Sequence, residues 1–156
     1  MDELISHFVE VRAEFLDVLG RFPARRRGDV LFGKWNLKDL VAHLAGWDQY
    51  FVELLVSLQA GEEPPYWGNM TKFNEASVQK RRESPWEVVY DEFVAAGDEF
   101  IRCCTQLPAE LRDVRFWKGR SYTPARILEI NIHHYAVSHL KQVKRKLASL
   151  ETEETA

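Results

Sequence analysis

The chain has 156 residues, of which 46% are hydrophobic and 12% aromatic, so it holds enough apolar side chains for the core of one domain. Its 8 glycines and 6 prolines are few for an all-β fold, in which turns are frequent, and this favours long helices. The formal net charge of −3 gives no electrostatic reason for nucleic-acid binding, and we expect none.

The start of the chain lacks the pattern of a targeting segment. Asp2 and Glu3 are acidic where a signal peptide is basic, and no apolar run approaches the roughly 18 residues that cross a bilayer. Cys103 and Cys104 are adjacent, so they cannot join distant segments by a disulfide, and their pattern is typical of small buried residues. We therefore expect a cytoplasmic protein without a membrane partner.

The first predicted helix ends near Gly20 and Pro23, two residue types that commonly stop helices. Its apolar residues recur every three or four positions: Leu4, Phe8, Val11, Phe15, Val18, Leu19 and Phe22. The second helix begins after Asn36, a favourable N-cap, with Asp39 three residues later at the positive helix start. It continues to Gly61, which predicts a long element.

Three further helical segments follow. A short helix is predicted through Phe73 and Val78. Ser84-Pro85 starts the next long helix, with Ser as the cap and Pro in the first turn. Thr123-Pro124 starts the last one by the same chemistry, and its apolar pattern runs to Leu150.

Four long amphipathic helices joined by two long connections predict an all-α fold, a four-helix bundle. The bundle domain covers residues 1–150. The remaining residues, 151–156, form an acidic tail that we expect to be frayed, because chain ends with few apolar residues have little to pack against.

Polar side chains lie beside the apolar faces of the second and last long helices. Each set has a spacing of four residues, which places its members in one row on the helix surface. The rows are Trp35, Asp39, His43 and Trp47 in one helix, and Asn131, Tyr135 and His139 in the other. Bundles build internal metal or ligand sites from histidines on two facing helices, although a lone histidine on an apolar face is more often a core residue.

The run from Trp35 to Trp47, WNLKDLVAHLAGW, resembles the helix-two motif of the DinB-like superfamily. The segments Gly61 to Pro65, Phe73 to Glu75 and Asn131 to His139 resemble its ClbS/DfsB family. The resemblance implies a DinB-like bundle that forms a homodimer. In the wider superfamily it implies a divalent metal on three histidines and, in some members, a thiol-dependent transferase or isomerase. The ClbS/DfsB family includes a protein that opens the cyclopropane ring of a DNA-damaging metabolite.

Carried onto this chain, the resemblance matches His43 to the helix-two histidine and His139 to the second histidine of the last helix. The first histidine of that helix falls on Tyr135, and a phenol is a poor metal ligand at pH 7. His134 lies five residues before His139, about 140° away around an α-helix. We therefore expect no tight metal; if Ni²⁺ or Zn²⁺ binds, His43 and His139 are its ligands.

The interpretation favoured by these residues is a metal-free pocket for a small molecule. His43 and His139 would act as general acid or base, because the pKa of histidine lies near neutral pH, and Tyr135 would donate a hydrogen bond. The residues expected to bind the substrate are Trp47, Asn74, Asn131, Trp67 and Trp117. No side-chain nucleophile is evident, so the predicted function is hydrolysis, or detoxification, of an electrophilic metabolite.

Two alternatives stay open at this point. One is a DinB-type transferase that depends on a divalent metal and a thiol. The other is a non-catalytic, stress-related binding protein in which the histidines are core residues. The expected partners are a small-molecule substrate and a second copy of the chain in a homodimer.

Overall fold

The computed structural model describes residues 1–156 and contains helices and no strands. The α-helices are α1 Asp2–Arg21, α2 Leu37–Ala60, α3 Met70–Lys80, α4 Trp86–Gln106, α5 Pro124–His133 and α6 Lys141–Thr155. A π-helical segment, His134–Leu140, joins α5 to α6 into one continuous rod. With α1, α2 and α4, this rod makes four long elements, and the predicted all-α bundle is confirmed. No helix is both long enough and apolar enough to span a bilayer.

Helix starts follow the predicted capping chemistry at two of three positions. The Asn36 side chain accepts a hydrogen bond from the Asp39 amide, and Asp39 accepts one from the Asn36 amide, which completes a capping box. Thr123 caps α5 through the Arg126 amide. The Ser84 prediction is wrong, because α4 begins at Trp86 and no side chain caps it.

Helix α2 is the central element of the bundle. It packs against α4 along most of its length and against α3 on another side, and 14 of its 24 residues are buried. Helix α1 covers α5 and the π-helical segment. The largest fully buried side chains are aromatic and include Phe8, Phe15, Phe93, Phe100 and Tyr135. These aromatic rings fill the space between α1, α4 and the last rod.

The acidic end of the chain is helical rather than frayed, since α6 continues to Thr155. Arg26 pairs with Glu153 at 3.1 Å, and Arg25 pairs with Glu154. Both arginines lie in the connection between α1 and α2, so the end of α6 is held against that connection. These partners are largely exposed, and such pairs contribute at most about 1 kcal/mol each.

Gly46 lies where α2 and α3 approach most closely. A Cβ at this position would lie 2.2 Å from Ser77 Oγ and 2.6 Å from Ser77 Cβ. Because Cβ is fixed to the α3 backbone, the two helices would have to separate. We expect Gly46→Ala to lower the free energy of unfolding by about 1–3 kcal/mol, measured by chemical denaturation.

The matched control is Gly20→Ala in α1, where a Cβ would meet no atom within 4 Å. Alanine is favoured over glycine in helices, so this variant is expected to keep the wild-type stability or gain up to about 1 kcal/mol. Equal stabilities for the Gly46 and Gly20 variants would contradict the close helix contact.

Candidate metal centre

Three histidines from two elements converge on one point. His43 comes from α2, and His134 and His139 come from the π-helical segment. The His134 Nε2 atom lies 2.8 Å from His43 Nε2 and 2.9 Å from His139 Nε2. All three nitrogens lie within 4.8 Å of one another, and His43 and His139 are buried. The cluster is therefore a candidate three-histidine metal centre.

The π-helical backbone is what brings His134 into the cluster. In an α-helix, residues five apart differ by about 140° in direction, and that spacing excludes His134 from the site. A π-helix instead bonds residue i to residue i+5, so His134 and His139 lie on the same face. The expectation that His134 points away from His139 is wrong for this reason, and the third imidazole is His134 rather than a group at Tyr135.

The three imidazoles are neutral at pH 7. Burial, together with a smaller effect of the nearby His139 and against an opposing effect of Asn74, lowers the pKa of His43 to about 3. Burial followed by the charges of His139 and His43 lowers the pKa of His134 well below its ordinary value. Burial also lowers the pKa of His139, against a smaller opposing effect of Gln142. Neutral imidazole is the form that binds a metal ion.

Hydrogen bonding also fixes which nitrogen of His139 faces the centre. His139 Nδ1 lies 2.8 Å from Gln142 Oε1, so the ring donates there and its Nε2 presents a lone pair inward. A single proton on His134 Nε2 cannot serve both neighbouring imidazoles. His43 Nδ1 is buried without a partner. A cation can interact with the inward lone pairs of all three imidazoles at once. Without a cation, at least one of the two contacts to His134 Nε2 has no proton between the nitrogens.

The separations suit a metal with small side-chain adjustments. Imidazole nitrogens bound at about 2.1 Å in tetrahedral geometry are about 3.4 Å apart, which is roughly half an ångström more than the two distances from His134 Nε2. The residues present therefore fit Zn²⁺ or Ni²⁺, both of which accept imidazole ligands.

The neutral histidines make stability depend on pH. The pKa of His43 is lower in the folded chain than in the unfolded one, so its contribution is present above about pH 6.5 and is lost as the pH falls. Between pH 7 and pH 5 this one residue is expected to cost wild type about 2 kcal/mol relative to His43→Leu. Denaturant unfolding of both proteins at the two pH values, without metal, measures the change. A constant gap between the proteins would contradict a neutral buried His43.

A cavity of about 490 Å³ opens beside the histidine cluster. Its aromatic lining consists of Phe32, Trp35, Trp47, Phe51, Trp67 and Tyr122. Asn74, Ser138 and His133 also line it, and no Asp, Glu, Lys or Arg does. Cavities of this size that are apolar with a few polar groups are typical of small-molecule sites.

Two connections cover the cavity with aromatic rings. Trp67, from the connection between α2 and α3, lies 4.9 Å from Tyr122 and 5.7 Å from Trp117, measured between ring centroids. Trp117 is buried and donates to the Pro64 carbonyl at 2.7 Å. Trp67 and Tyr122 therefore face the cavity, while Trp117, expected at the substrate, supports them from behind.

Trp47 and Asn74, both predicted to bind the substrate, lie next to each other at the cavity. Trp47 Nε1 donates to Asn74 Oδ1 at 2.7 Å, and this bond fixes the indole and the amide relative to each other. Both residues line the cavity beside His43. Helix α3 thus contributes to the site through Asn74, one reason why its close contact at Gly46 matters.

Tyr135 and Asn131 lie in the core and not at the cavity. The Tyr135 hydroxyl donates to Asp48 Oδ2 at 2.5 Å, and Asn131 Nδ2 donates to Asp48 Oδ1 at 2.9 Å. All three residues have no exposed surface. The Tyr135 ring packs edge-on against Phe8, 5.2 Å away between centroids. The structure does not bring either residue to the histidine cluster.

Sequence reasoning missed His134, Gln142 and Asp48. A second histidine next to the expected ligand position is the signal for His134, because one extra residue in a helix produces a π turn. An acidic residue at position 48, inside an apolar helix, is the signal for Asp48, since such residues are rarely buried without partners.

Cys103 and Cys104 lie on α4 and are both buried. Burial raises the pKa of the Cys104 thiol to about 12, and burial also raises that of Cys103. Neither is a thiolate at neutral pH. The centre therefore has no protein thiol as its nucleophile.

A second depression, of about 670 Å³, lies between the start of α2 and α3. Its two lysines already have partners, because Lys34 pairs with Glu75 at 2.9 Å and Lys38 donates to the carbonyls of Arg82 and Ser84. We assign no ligand to it.

A helical bundle with three histidines on facing helices is the architecture that the DinB-like resemblance implied. The chain belongs to the mycothiol maleylpyruvate isomerase N-terminal domain family, whose profile matches residues 4–138, and this family is part of the DinB-like superfamily. Proteins of this superfamily commonly bind a divalent metal. The DinB-like prediction is confirmed at this level.

A solved structure has the same fold. It is an uncharacterised protein from Escherichia coli UTI89, 19% identical, with a TM-score of 0.80 over 97% of this chain and 94% of that one. At this identity the likeness concerns the fold alone. No curated protein matches the chain.

Proposed function

We propose that this protein is a divalent-metal-dependent enzyme that acts on a small organic molecule bound in the aromatic cavity. The observation that carries the proposal is the convergence of three neutral imidazole nitrogens, from His43, His134 and His139, at the edge of that cavity. The proposal takes the metal-dependent interpretation in place of the metal-free acid–base pocket. The lowered pKa values of the histidines favour ligands over proton donors.

His43, His134 and His139 would hold the ion, and three protein ligands leave a coordination position for substrate. When bound, Zn²⁺ or Ni²⁺ supplies a Lewis acid that activates a nucleophile and polarises the substrate. Gln142 orients His139 through its Nδ1 hydrogen bond, which keeps the Nε2 lone pair directed inward.

The remaining residues bind and enclose the substrate. The Trp47–Asn74 hydrogen bond presents an indole face and an amide side by side. Trp67 and Tyr122 cover the cavity from the two connections and offer apolar surface to the substrate. The buried cysteines supply no nucleophile, and in this proposal the nucleophile enters the cavity with the substrate.

Two nucleophiles are consistent with this arrangement. A thiol cosubstrate is favoured by the family, whose name includes a thiol-dependent isomerase. Water, in a ClbS/DfsB-like hydrolysis of an electrophilic metabolite, is favoured by the cavity lining, because a polar thiol cofactor would need charged partners that the lining lacks. The choice between them defines the reaction as transfer or hydrolysis.

The metal is tested first. Protein treated with a chelator is titrated with Zn²⁺ and Ni²⁺ by calorimetry, and retained metal is measured by mass spectrometry. We expect one ion per chain, greatly weakened in His43→Ala and unchanged in the control His7→Ala, whose side chain is exposed on α1. Absence of a stoichiometric ion would overturn the proposal. A higher melting temperature in His139→Leu with unchanged ligand binding would assign the histidines to the core instead.

The nucleophile is tested on the metal-loaded protein with styrene oxide, an apolar electrophile, with and without a small thiol. Ring opening by water gives the diol, and opening by the thiol gives the thioether. Mass spectrometry of the products separates hydrolysis from transfer. His43→Ala serves as the inactive control, and product formation unaffected by that change would count against an enzymatic centre.

A further inference from the structure

Resting on the proposed metal centre, we infer that the cavity selects a monoanionic ligand with one anionic group at the histidines and an uncharged, largely aromatic or aliphatic body. Dianionic ligands are excluded because the cavity has no cation for a second anionic group. Small polar ligands are excluded because the lining is mostly apolar.

The charge at the metal centre favours an anionic ligand. The three histidine ligands are neutral, and no Asp or Glu lines the cavity. The nearest acidic groups along α2 are engaged elsewhere. Asp48 accepts hydrogen bonds from Asn131 and Tyr135 on the core side, and Asp39 bonds the Asn36 amide at the helix start. A bound divalent ion would keep its full charge in a poorly solvated place, so an anionic donor is strongly favoured there.

Apart from a bound metal ion, the cavity offers no positive charge to a ligand. Neither lysine nor arginine lines it. Arg120 lies over the Tyr66 ring, 3.7 Å from the ring centroid, and Arg27 lies over Trp86 at 4.6 Å. A ligand with a second carboxylate or phosphate would bury that group without a partner, which is unfavourable.

The lining of the cavity favours an apolar ligand body. Nine of the fifteen lining residues are hydrophobic, and the indoles of Trp47 and Trp67 form adjoining walls with centroids 5.9 Å apart. Aromatic walls bind aromatic or aliphatic groups through burial of apolar surface. Asn74 and Ser138 supply polar contacts for a hydroxyl or carbonyl, without changing the charge preference.

The test compares four probes on Co²⁺-loaded protein, with the visible spectrum of the ion and tryptophan fluorescence as readouts. 4-Phenylbutyrate carries one anion and an aryl body, butyrate lacks the body, succinate adds a second anion, and 4-phenyl-1-butanol lacks the anion. We expect 4-phenylbutyrate to bind at least about tenfold more tightly than each of the others. A tenfold ratio corresponds to about 1.4 kcal/mol.

A variant that adds a cation to the cavity wall tests the charge preference directly. Ile130 is a half-buried lining residue, and Ile130→Lys places a cation on the cavity wall. We expect this change to tighten succinate binding about tenfold relative to butyrate. Ile130→Met, which adds no charge, is the matched control and is expected to leave the succinate to butyrate ratio unchanged.

The outcomes separate the two proposals. Protein that takes up no Co²⁺ overturns the metal centre and the anion preference together. Protein that binds Co²⁺ but takes succinate or the alcohol as tightly as 4-phenylbutyrate overturns the ligand class alone. Succinate binding that is unaffected by Ile130→Lys likewise overturns the charge argument.

Discussion

Replacing His134 with alanine is expected to abolish tight metal binding and to raise the Kd for Zn²⁺ by more than about 100-fold. Loss of a partner outside the ligand shell costs 10–100-fold in affinity, so loss of a ligand itself exceeds that range. His134 is the central member of the cluster, since its Nε2 lies within 2.9 Å of both other nitrogens. Calorimetric titration of the apo protein measures the change.

The control is His133→Ala, one residue earlier on the same rod. His133 lines the cavity, but it is exposed and lies outside the cluster of three nitrogens. We expect its Zn²⁺ affinity to stay within about threefold of wild type. Equal losses in the two variants would show that His134 is not a ligand, because a general effect on the rod would then explain both.

Deleting one residue of the π-helical segment is expected to have a much smaller effect on metal binding than replacing His134. Val137 is exposed and lies between the two histidines of the rod. Removing it leaves His134 and His139 four residues apart, a spacing that puts them on one face of an ordinary α-helix. The deletion variant is therefore expected to retain Zn²⁺ binding within about tenfold, measured in the same titration. Complete loss of binding would show that the π geometry itself is required.

Asp48→Ala is expected to lower the free energy of unfolding by about 3 kcal/mol or more. The carboxyl group is buried and bonds both Tyr135 and Asn131, which link the last rod to α2. Its removal leaves a buried hydroxyl and a buried amide without partners and opens a small cavity. Chemical denaturation measures the loss. Asp91→Ala is the surface control, because Asp91 is exposed on α4 and pairs with no other side chain.

The Asp48 carboxyl group is also expected to make the free energy of unfolding depend on pH. Burial raises the pKa of Asp48 to about 6, against hydrogen bonds from Tyr135 and Asn131 that lower it. The folded pKa lies above the unfolded one, so the contribution of Asp48 is greatest below about pH 4 and is lost as the pH rises through 6. The total change is about 3 kcal/mol.

Asp48→Asn removes this titration and keeps the shape of the side chain. We expect the stability of Asp48→Asn relative to wild type to increase between pH 4 and pH 7. Denaturant unfolding at the two pH values, without metal, measures the difference. Parallel pH profiles for the two proteins would contradict a raised pKa at Asp48, and the Asp48→Ala result would then reflect lost hydrogen bonds only.

The helices were largely predictable because their signals are local. The apolar spacing of α1 and the caps at Asn36 and Thr123 depend on residues within four positions of each other. The cap at Ser84 was not, because α4 begins at Trp86, with Pro85 in the N-cap position and no side chain capping the helix. The acidic tail lies next to a segment that is distant in sequence, where Glu153 pairs with Arg26, and no local pattern shows such a contact.

Parts of the site were predictable for a similar reason. His43 and Trp47 lie one turn apart on α2, as their spacing of four residues predicts, whereas the hydrogen bond between Trp47 and Asn74 joins two helices and was not predicted. Tyr135 followed the same four-residue rule from His139, yet the structure places it in the core. Rows of polar residues indicate a face of a helix, but they do not indicate whether that face meets a cavity or a buried partner such as Asp48.

By itself the sequence determined that the chain is one all-α bundle and that His43 and His139 lie on facing helices. Only the tertiary structure decided the third histidine. A π turn changes the direction of the side chains along the rod, so that His134 and His139 reach the cavity while Tyr135 and Asn131 bond Asp48 in the core. Which residues make up the centre therefore depends on the backbone geometry of the folded rod, which the α-helical spacing of the sequence does not contain.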